Sequence, residues 1–124
     1  MLEIIDLGEK ILNELWNDSN NGLLVLNYST QKIENLNQTA LDFFNYETKE
    51  QLIDQNINQL NFKVPDYILE DFVSNNRDKQ ELIIDYETEE NQLLKIKLVI
   101  YDVKLKDDHY LIYSFEDITQ RLEE

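Results

Sequence analysis

The chain has 124 residues, of which 42% are hydrophobic and 30% are charged, which is typical of one globular domain. Its formal net charge of -15 argues against nucleic acid and anionic membrane surfaces as direct partners, because both are recognised by Lys and Arg. The absence of cysteine excludes disulfides, thiol nucleophiles and cofactors attached through a thiol. No apolar run approaches the ~20 residues of a membrane helix, and the start lacks a signal peptide's basic region. The lack of cysteine fits a cytoplasmic setting, which we expect for this domain.

The first segment, residues 1–17, predicts an amphipathic helix whose apolar side chains recur at helical spacing. The apolar face consists of Ile4, Ile5, Ile11, Leu12, Leu15 and Trp16. Such a face is expected to be buried, either on the sheet of its own domain or against a second copy of the chain. The pattern leaves both arrangements open, and the second makes these residues candidates for a dimer interface.

The next part of the chain predicts a β-hairpin followed by a helix. Residues 23–28 and 32–37 have the composition of two strands, and residues 29–31 form the tight turn between them. Asn37 is the expected N-cap of a helix over residues 38–45, where apolar side chains recur at helical spacing.

Two further helices are predicted before the chain returns to strands. Residues 48–54 begin with Thr48 as a cap and carry Gln51 at the capping-box position. Pro65 starts the second helix, which continues to about Asn75, because proline fits the first turn of a helix.

Three strands and the start of a helix complete the chain. Residues 80–88, 93–106 and 110–115 are predicted strands, the pattern breaks at 116–119, and residues 120–124 are strong helix formers. Strands on both sides of a helical block predict an α+β fold, with an antiparallel sheet and the helices on one of its faces. Alternation along the long strand predicts one shared face for Leu94, Ile96, Leu98 and Ile100.

This order of elements, together with four short motifs, resembles the PAS domain family of sensory modules. The motifs are Gly22-Leu-Leu-Val-Leu-Asn27, residues 33–46, residues 48–54 and Glu116-Asp-Ile-Thr-Gln-Arg121. The last is similar to the Asp-Ile-Thr-Glu-Arg signature that joins a PAS core to its effector helix. The resemblance implies a PAS-like five-stranded antiparallel core over residues 18–119, after an amphipathic helix at 1–17. Residues 120–124 then begin the linker helix to an effector domain.

The chain departs from the family at positions where the family has glycine. Asn45 and Asp54 replace two of these glycines, and the loop at residues 91–92 also lacks one. Because Asn and Asp adopt left-handed backbone conformations more readily than other non-glycine residues, we expect the fold to be retained.

The resemblance also implies a pocket between the sheet and the helical block. The candidates for its wall are Phe44, Ile57, Ile68, Phe72, Leu98, Ile100, Tyr113 and Phe115. This wall is almost wholly apolar, whereas ligand sites usually add a few convergent polar groups. A packed core without a ligand is therefore favoured over an occupied pocket.

We accordingly predict no cofactor, although a non-covalent flavin or a small apolar ligand is left open. Light-oxygen-voltage relatives need a reactive cysteine, and haem-binding relatives use a histidine on the helix that Pro65 starts; the chain has neither. The sole histidine, His109, is expected to be solvated in a turn beside Asp107 and Asp108. No catalytic or metal-ligating arrangement is recognisable, so we predict neither an enzyme nor a metal site.

The family resemblance implies a sensory or dimerisation domain of a signal-transduction protein. A sensor histidine kinase is the first choice for the effector after Glu124, and a cyclic-dinucleotide enzyme is the second. Asp117 and Thr119 are the candidates for signal relay, because either can cap the helix that begins at Gln120. The alternative function is a ligand-free protein–protein interaction module, and a stand-alone enzyme is the least favoured.

Overall fold

One antiparallel sheet of five strands organises the molecule. The structure, a computed structural model, describes residues 16–17, 19–60, 62, 64–104 and 107–120. The strands are β1 (Gly22–Asn27), β2 (Ile33–Leu36), β3 (Lys79–Glu87), β4 (Leu93–Lys104) and β5 (His109–Asp117). Their order in the sheet is β2-β1-β5-β4-β3, so the last strand lies between the hairpin β1–β2 and the hairpin β3–β4.

The helical block lies between β2 and β3 in the chain. It contains α1 (Gln38–Phe44), α2 (Asp66–Ser74) and two 3₁₀-helices at Lys49–Gln51 and Ile57–Leu60. Its buried side chains join those of the sheet in one hydrophobic core. The alternation predicted for β4 is confirmed, because Leu94, Ile96, Leu98 and Ile100 are all buried. The α+β fold with an antiparallel five-stranded sheet is therefore confirmed.

The helix predicted over residues 48–54 is wrong beyond its first turn. Only Lys49–Gln51 is helical, as a 3₁₀-helix, and the backbone N–H of Thr48 donates to Gln51 Oε1 at 3.1 Å. The segment then returns to β2, where Asp54 N donates to Ile33 O at 2.8 Å. Pairing with β2 ends the helix, and this long-range contact leaves no local signal in the sequence.

Three residues that replace family glycines adopt the left-handed backbone conformation. The φ angles of Asn45, Asp54 and Asn91 are 65°, 68° and 65°. At Asn45 this conformation ends α1, and its backbone N–H donates to Asp42 O at 3.2 Å. The expectation that Asn and Asp take over these turns is confirmed.

The C-terminal hairpin differs from its predicted boundaries. β5 continues past Phe115, because Asp117 still pairs with Ile96 of β4. β4 ends at Lys104, and residues 105–106 lie outside the described residues. The prediction that His109 sits in a solvated turn is wrong, because His109 is half-buried and begins β5, opposite Lys104.

Predictions for both ends of the chain lie mostly outside the described residues. This applies to Ile4, Ile5, Ile11, Leu12 and Leu15 of the predicted N-terminal face, and to the linker helix after Gln120. Trp16 is described and is half-buried.

Candidate functional site

The pocket candidates lie together in the core between sheet and helices. Ile68 is partly buried, and the other seven are buried: Phe44, Ile57, Phe72, Leu98, Ile100, Tyr113 and Phe115. Tyr113 and Phe115 alternate along β5 and face the same side as Leu98 and Ile100 of β4, with which they pair. Their role in ligand binding stays a prediction.

Five aromatic rings pack against one another at the centre of this region. We call Phe43, Phe44, Phe62, Tyr86 and Phe115 the aromatic cluster. The ring centroids of Phe62 and Phe115 are 4.9 Å apart, those of Phe43 and Phe115 are 5.1 Å apart, and several pairs meet edge to face. These aromatic side chains therefore fill the space at the centre of this region.

Sequence reasoning missed three members of this group, Phe43, Phe62 and Tyr86. Phe62 lies between the second 3₁₀-helix and α2, where no periodic pattern exists. Tyr86 is the one residue of β3 that is buried, whereas the rest of that edge strand is exposed or half-buried. Alternation within residues 80–88 could have placed Tyr86 on the inner face, but it could not have indicated the ring contacts.

The junction at the end of β5 is held by hydrogen bonds to the start of β4. Asp117 Oδ1 accepts from Thr119 N at 2.9 Å and from Thr119 Oγ1 at 2.6 Å. The same hydroxyl accepts from Lys95 N at 2.9 Å, and Ile118 N donates to Lys95 O at 2.9 Å. The side chain of Ile118 is buried. The two relay candidates are thus in direct contact, and Thr119 is also hydrogen-bonded to the backbone of β4.

A second set of hydrogen bonds, all made by the side chain of Asn37, connects the N-terminal side of the domain to the core. This residue is fully buried, and its Oδ1 accepts from Ala40 N and Leu23 N, each at 2.9 Å. Its Nδ2 donates to Trp16 O at 2.7 Å and to Asn21 O at 3.1 Å. The N-cap predicted at Asn37 is confirmed, and the same side chain ties the segment before β1 to the core.

A polar pair occupies the opposite end of the β4–β5 hairpin. His109 Nε2 contacts Asp102 Oδ1, and the ring of His109 meets that of Tyr28 edge to face with centroids 4.8 Å apart. Lys104 Nζ lies 3.8 Å from Asp102 Oδ2. The side chain of Asp102 is only 6% exposed, so His109 is a partner of a nearly buried carboxylate.

Burial also sets the protonation of Tyr113 in the middle of β5. Desolvation raises the pKa of its phenol well above the ordinary value of 10.0. The phenol therefore stays neutral to a higher pH than that of an exposed tyrosine.

Two further features, a metal-binding cluster and a membrane-spanning helix, are absent from the described residues. Within them, no group of three or more His, Asp or Glu side chains is placed to hold a metal ion. No helix in this part of the chain has the length and apolarity that a bilayer crossing demands.

No protein-family model matches the chain, and no curated protein resembles it in sequence. Solved structures do resemble it. A PAS domain from a two-component sensor histidine kinase has 13% identity and a TM-score of 0.72, covering 90% of this chain and 97% of that one. A PAS domain of a protein from Colwellia psychrerythraea has 19% identity and a TM-score of 0.72, covering 94% and 99%. An RNA-binding light-oxygen-voltage receptor has 16% identity and a TM-score of 0.76, covering 96% of this chain and 35% of the receptor.

The sheet order and the helical block on one face define an α+β domain with a five-stranded antiparallel sheet. These structural similarities identify its fold as the PAS fold. The expectation drawn from the sequence motifs is confirmed at the level of the fold.

Proposed function

We propose that this chain is a cytoplasmic regulatory domain of a signal-transduction protein, and that it controls an effector following Glu124. A sensor histidine kinase is the preferred effector, since one similar structure is a PAS domain from such a kinase. The observation that carries the proposal is the junction at Asp117, Ile118 and Thr119, which joins the last strand to the start of β4.

The junction provides a physical route from the core to the effector. Phe115 points into the aromatic cluster, and Asp117, two residues later on the same strand, holds Thr119. A change in packing around Tyr113 or Phe115 would shift the end of β5 relative to β4. The hydrogen bond between Lys95 N and Thr119 Oγ1 would then lengthen or turn, and the chain after Thr119 would change direction.

A fusion to a histidine kinase tests this relay without knowledge of the natural signal. Phe115→Leu alters the core behind the junction, and we expect it to change the autophosphorylation rate of the fusion. In a Thr119→Val background, which removes the hydroxyl but keeps the shape, the same change should have little further effect. Thr119→Ser is the matched control, because it keeps the hydroxyl and should keep the response. Equal responses to Phe115→Leu in all three backgrounds would refute the relay.

A ligand-free protein–protein interaction module is the second candidate function. It is supported by the aromatic cluster, because a non-covalent flavin or another flat ligand would have to displace some of these rings. Native mass spectrometry of the purified domain separates the two functions. A sensor should carry a bound molecule or gain thermal stability when one is supplied, whereas an interaction module should do neither.

Both candidate functions include formation of a homodimer. Besides the predicted N-terminal face, the sheet side away from the helices exposes Ile83, Leu93 and Tyr101, which are 58%, 60% and 40% exposed. The same native mass spectrum gives the oligomeric state. Tyr101→Glu should shift it towards monomer if this sheet face is the interface, and leave it unchanged if residues 1–16 form it.

A further inference from the structure

The two edges of the sheet differ in whether their backbone is covered. At the β2 edge, Ile33 N donates to Gln55 O at 2.9 Å and Asp54 N donates to Ile33 O at 2.8 Å, so a later segment covers this strand. The other edge is β3, whose one neighbour among the described strands is β4. The side of β3 that faces away from β4 is therefore open.

Hydrogen bonds at the two ends of the β3–β4 ladder show which backbone groups lie on this open side. Asp102 N donates to Asp78 O at 3.1 Å, and Thr88 N donates to Gln92 O at 2.9 Å. Residues 78 and 88 thus face β4, and the pairing between them runs without a register shift. Because the backbone groups of successive residues in a strand point in opposite directions, the odd-numbered residues of β3 face outward.

These outward backbone groups belong to Lys79, Glu81, Ile83, Asp85 and Glu87. Among the described residues, one hydrogen bond reaches them, from the side chain next to Glu81, whose Nε2 donates to Glu81 O at 3.3 Å. The strand contains no proline and no bulge, two features that commonly prevent pairing at an edge. We call this row of outward N–H and C=O groups the β3 edge.

The charged side chains of the β3 edge favour a basic partner. Glu81 and Asp85 flank Ile83, and Lys97 Nζ lies 3.0 Å from Glu81 Oε1. Lys95 Nζ contacts Asp85 in the same way. Both carboxylates remain more than half exposed, at 57% and 56%, so each can contact a second cation. The formal net charge of -15 disfavours a second copy of the chain as the partner, because two copies repel each other.

The other face of β3 is apolar at the same place. Leu82 and Ile84 alternate with the outward residues, pack against the core and are half-buried. A strand added at the β3 edge would bring its own alternate side chains beside these two residues. The partner strand should therefore alternate apolar residues with its Lys or Arg residues.

We infer that the β3 edge binds an extended basic segment of a partner protein, which joins the sheet as a further antiparallel strand. The backbone groups of Glu81, Ile83 and Asp85 exchange hydrogen bonds with this segment. Lys or Arg side chains of the segment lie beside the two carboxylates. The inference does not depend on the proposed relay to an effector, because it concerns β3 alone.

A designed peptide tests the inference, acetyl-Arg-Thr-Lys-Val-Ile-Val-Lys-Thr-Glu-amide, whose central Ile would lie opposite Ile83. It is titrated into the ¹⁵N-labelled chain, residues 1–124, and followed by nuclear magnetic resonance. We expect saturable shifts and slower hydrogen exchange at the amides of Glu81, Ile83 and Asp85. The amides of Leu82 and Ile84 already face β4 and should change much less. Absence of saturable shifts, or of new protection at the three outward amides, would overturn the inference.

N-methylated peptides separate backbone pairing from attraction between charges. A methyl group on the central Ile removes an N–H that faces β3, so it should weaken binding by about tenfold or more. A methyl group on the preceding Val is the matched control, because that N–H faces away from β3 in the antiparallel register. It should weaken binding by about twofold or less. Equal losses for the two methylated peptides would overturn the inference.

Charge changes on both sides test the basic character of the partner. The peptide acetyl-Glu-Thr-Glu-Val-Ile-Val-Glu-Thr-Lys-amide keeps the apolar residues, reverses each charge and should bind about fivefold more weakly or worse. Asp85→Asn should weaken binding of the basic peptide by about two- to fivefold. Glu70→Gln, on the exposed side of α2, changes the net charge equally and should leave binding unchanged. Equal affinities within either comparison would overturn the assignment of a basic partner.

A second copy of the chain is the competing occupant of the β3 edge. Hydrogen exchange of the free chain at several protein concentrations distinguishes the two. Fast exchange at Glu81, Ile83 and Asp85 that does not depend on concentration supports an edge that is open to another protein. Protection of these amides that grows with protein concentration would assign the edge to self-association and overturn the inference.

Discussion

The ring of Phe115 lies over Gly22, at the place where any other residue would carry its side chain. The two residues pair directly between β1 and β5. A Cβ at position 22 would lie 2.3, 2.4 and 2.8 Å from three atoms of the ring. Because the φ angle of Gly22 is not positive, the requirement for glycine here is steric and does not come from backbone strain.

Gly22→Ala should lower the free energy of unfolding by about 1–3 kcal/mol, because the added methyl group pushes Phe115 into the aromatic cluster. Urea denaturation measures the change. In a Phe115→Leu background the ring is absent, and the same substitution should be close to neutral. Equal losses in the two backgrounds would contradict this contact as the cause.

Asn37→Ala should destabilise the domain by about 2–4 kcal/mol, because it removes an N-cap and leaves buried backbone groups without partners. Amide hydrogen exchange should become faster at Leu23 and Ala40, whose N–H groups lose their acceptor. Thr39→Val is a nearby control that removes only the hydrogen bond to Ser19 O. A loss for Asn37→Ala no larger than for Thr39→Val would contradict the central role of Asn37.

His109→Leu should cost about 1–3 kcal/mol in unfolding free energy at pH 7, because among the described residues it leaves the nearly buried carboxylate of Asp102 with Lys104 as its one charged partner. The double variant Asp102→Leu/His109→Leu removes that carboxylate and should recover part of the loss. Thermal or urea unfolding measures both variants. A single variant as stable as the parent would show that the pair contributes nothing.

Tyr113 should make the domain less stable at alkaline pH. Its pKa is raised in the folded state, so above pH 10 the unfolded chain releases this proton while the folded chain keeps it. The free energy of unfolding should therefore be unaffected below about pH 9 and should fall as the pH rises beyond 10. Tyr113→Phe should make this decline shallower without abolishing it, because the pKa values of Tyr86 and Tyr110 are also raised. Urea midpoints between pH 8 and 11 measure both slopes, and identical slopes would contradict the assignment.

Local patterns in the sequence determined much of the fold. Alternation along β4 predicted its buried face, and the side chain of Asn37 marked the start of α1. Asn45 and Asp54 marked turns that need a left-handed backbone. Each of these features depends on residues within a few positions of one another, so the sequence alone carries the signal.

Only the tertiary structure decided which distant residues meet. β5 lies between β1 and β4, and this order places Phe115 over Gly22 and brings Thr119 to the backbone of Lys95. The pairing of β4 with β5 also brings His109, which was expected to be solvated, into contact with Asp102. Such contacts depend on strand order and register. Burial over the whole chain sets both, so no single stretch of the sequence predicts them.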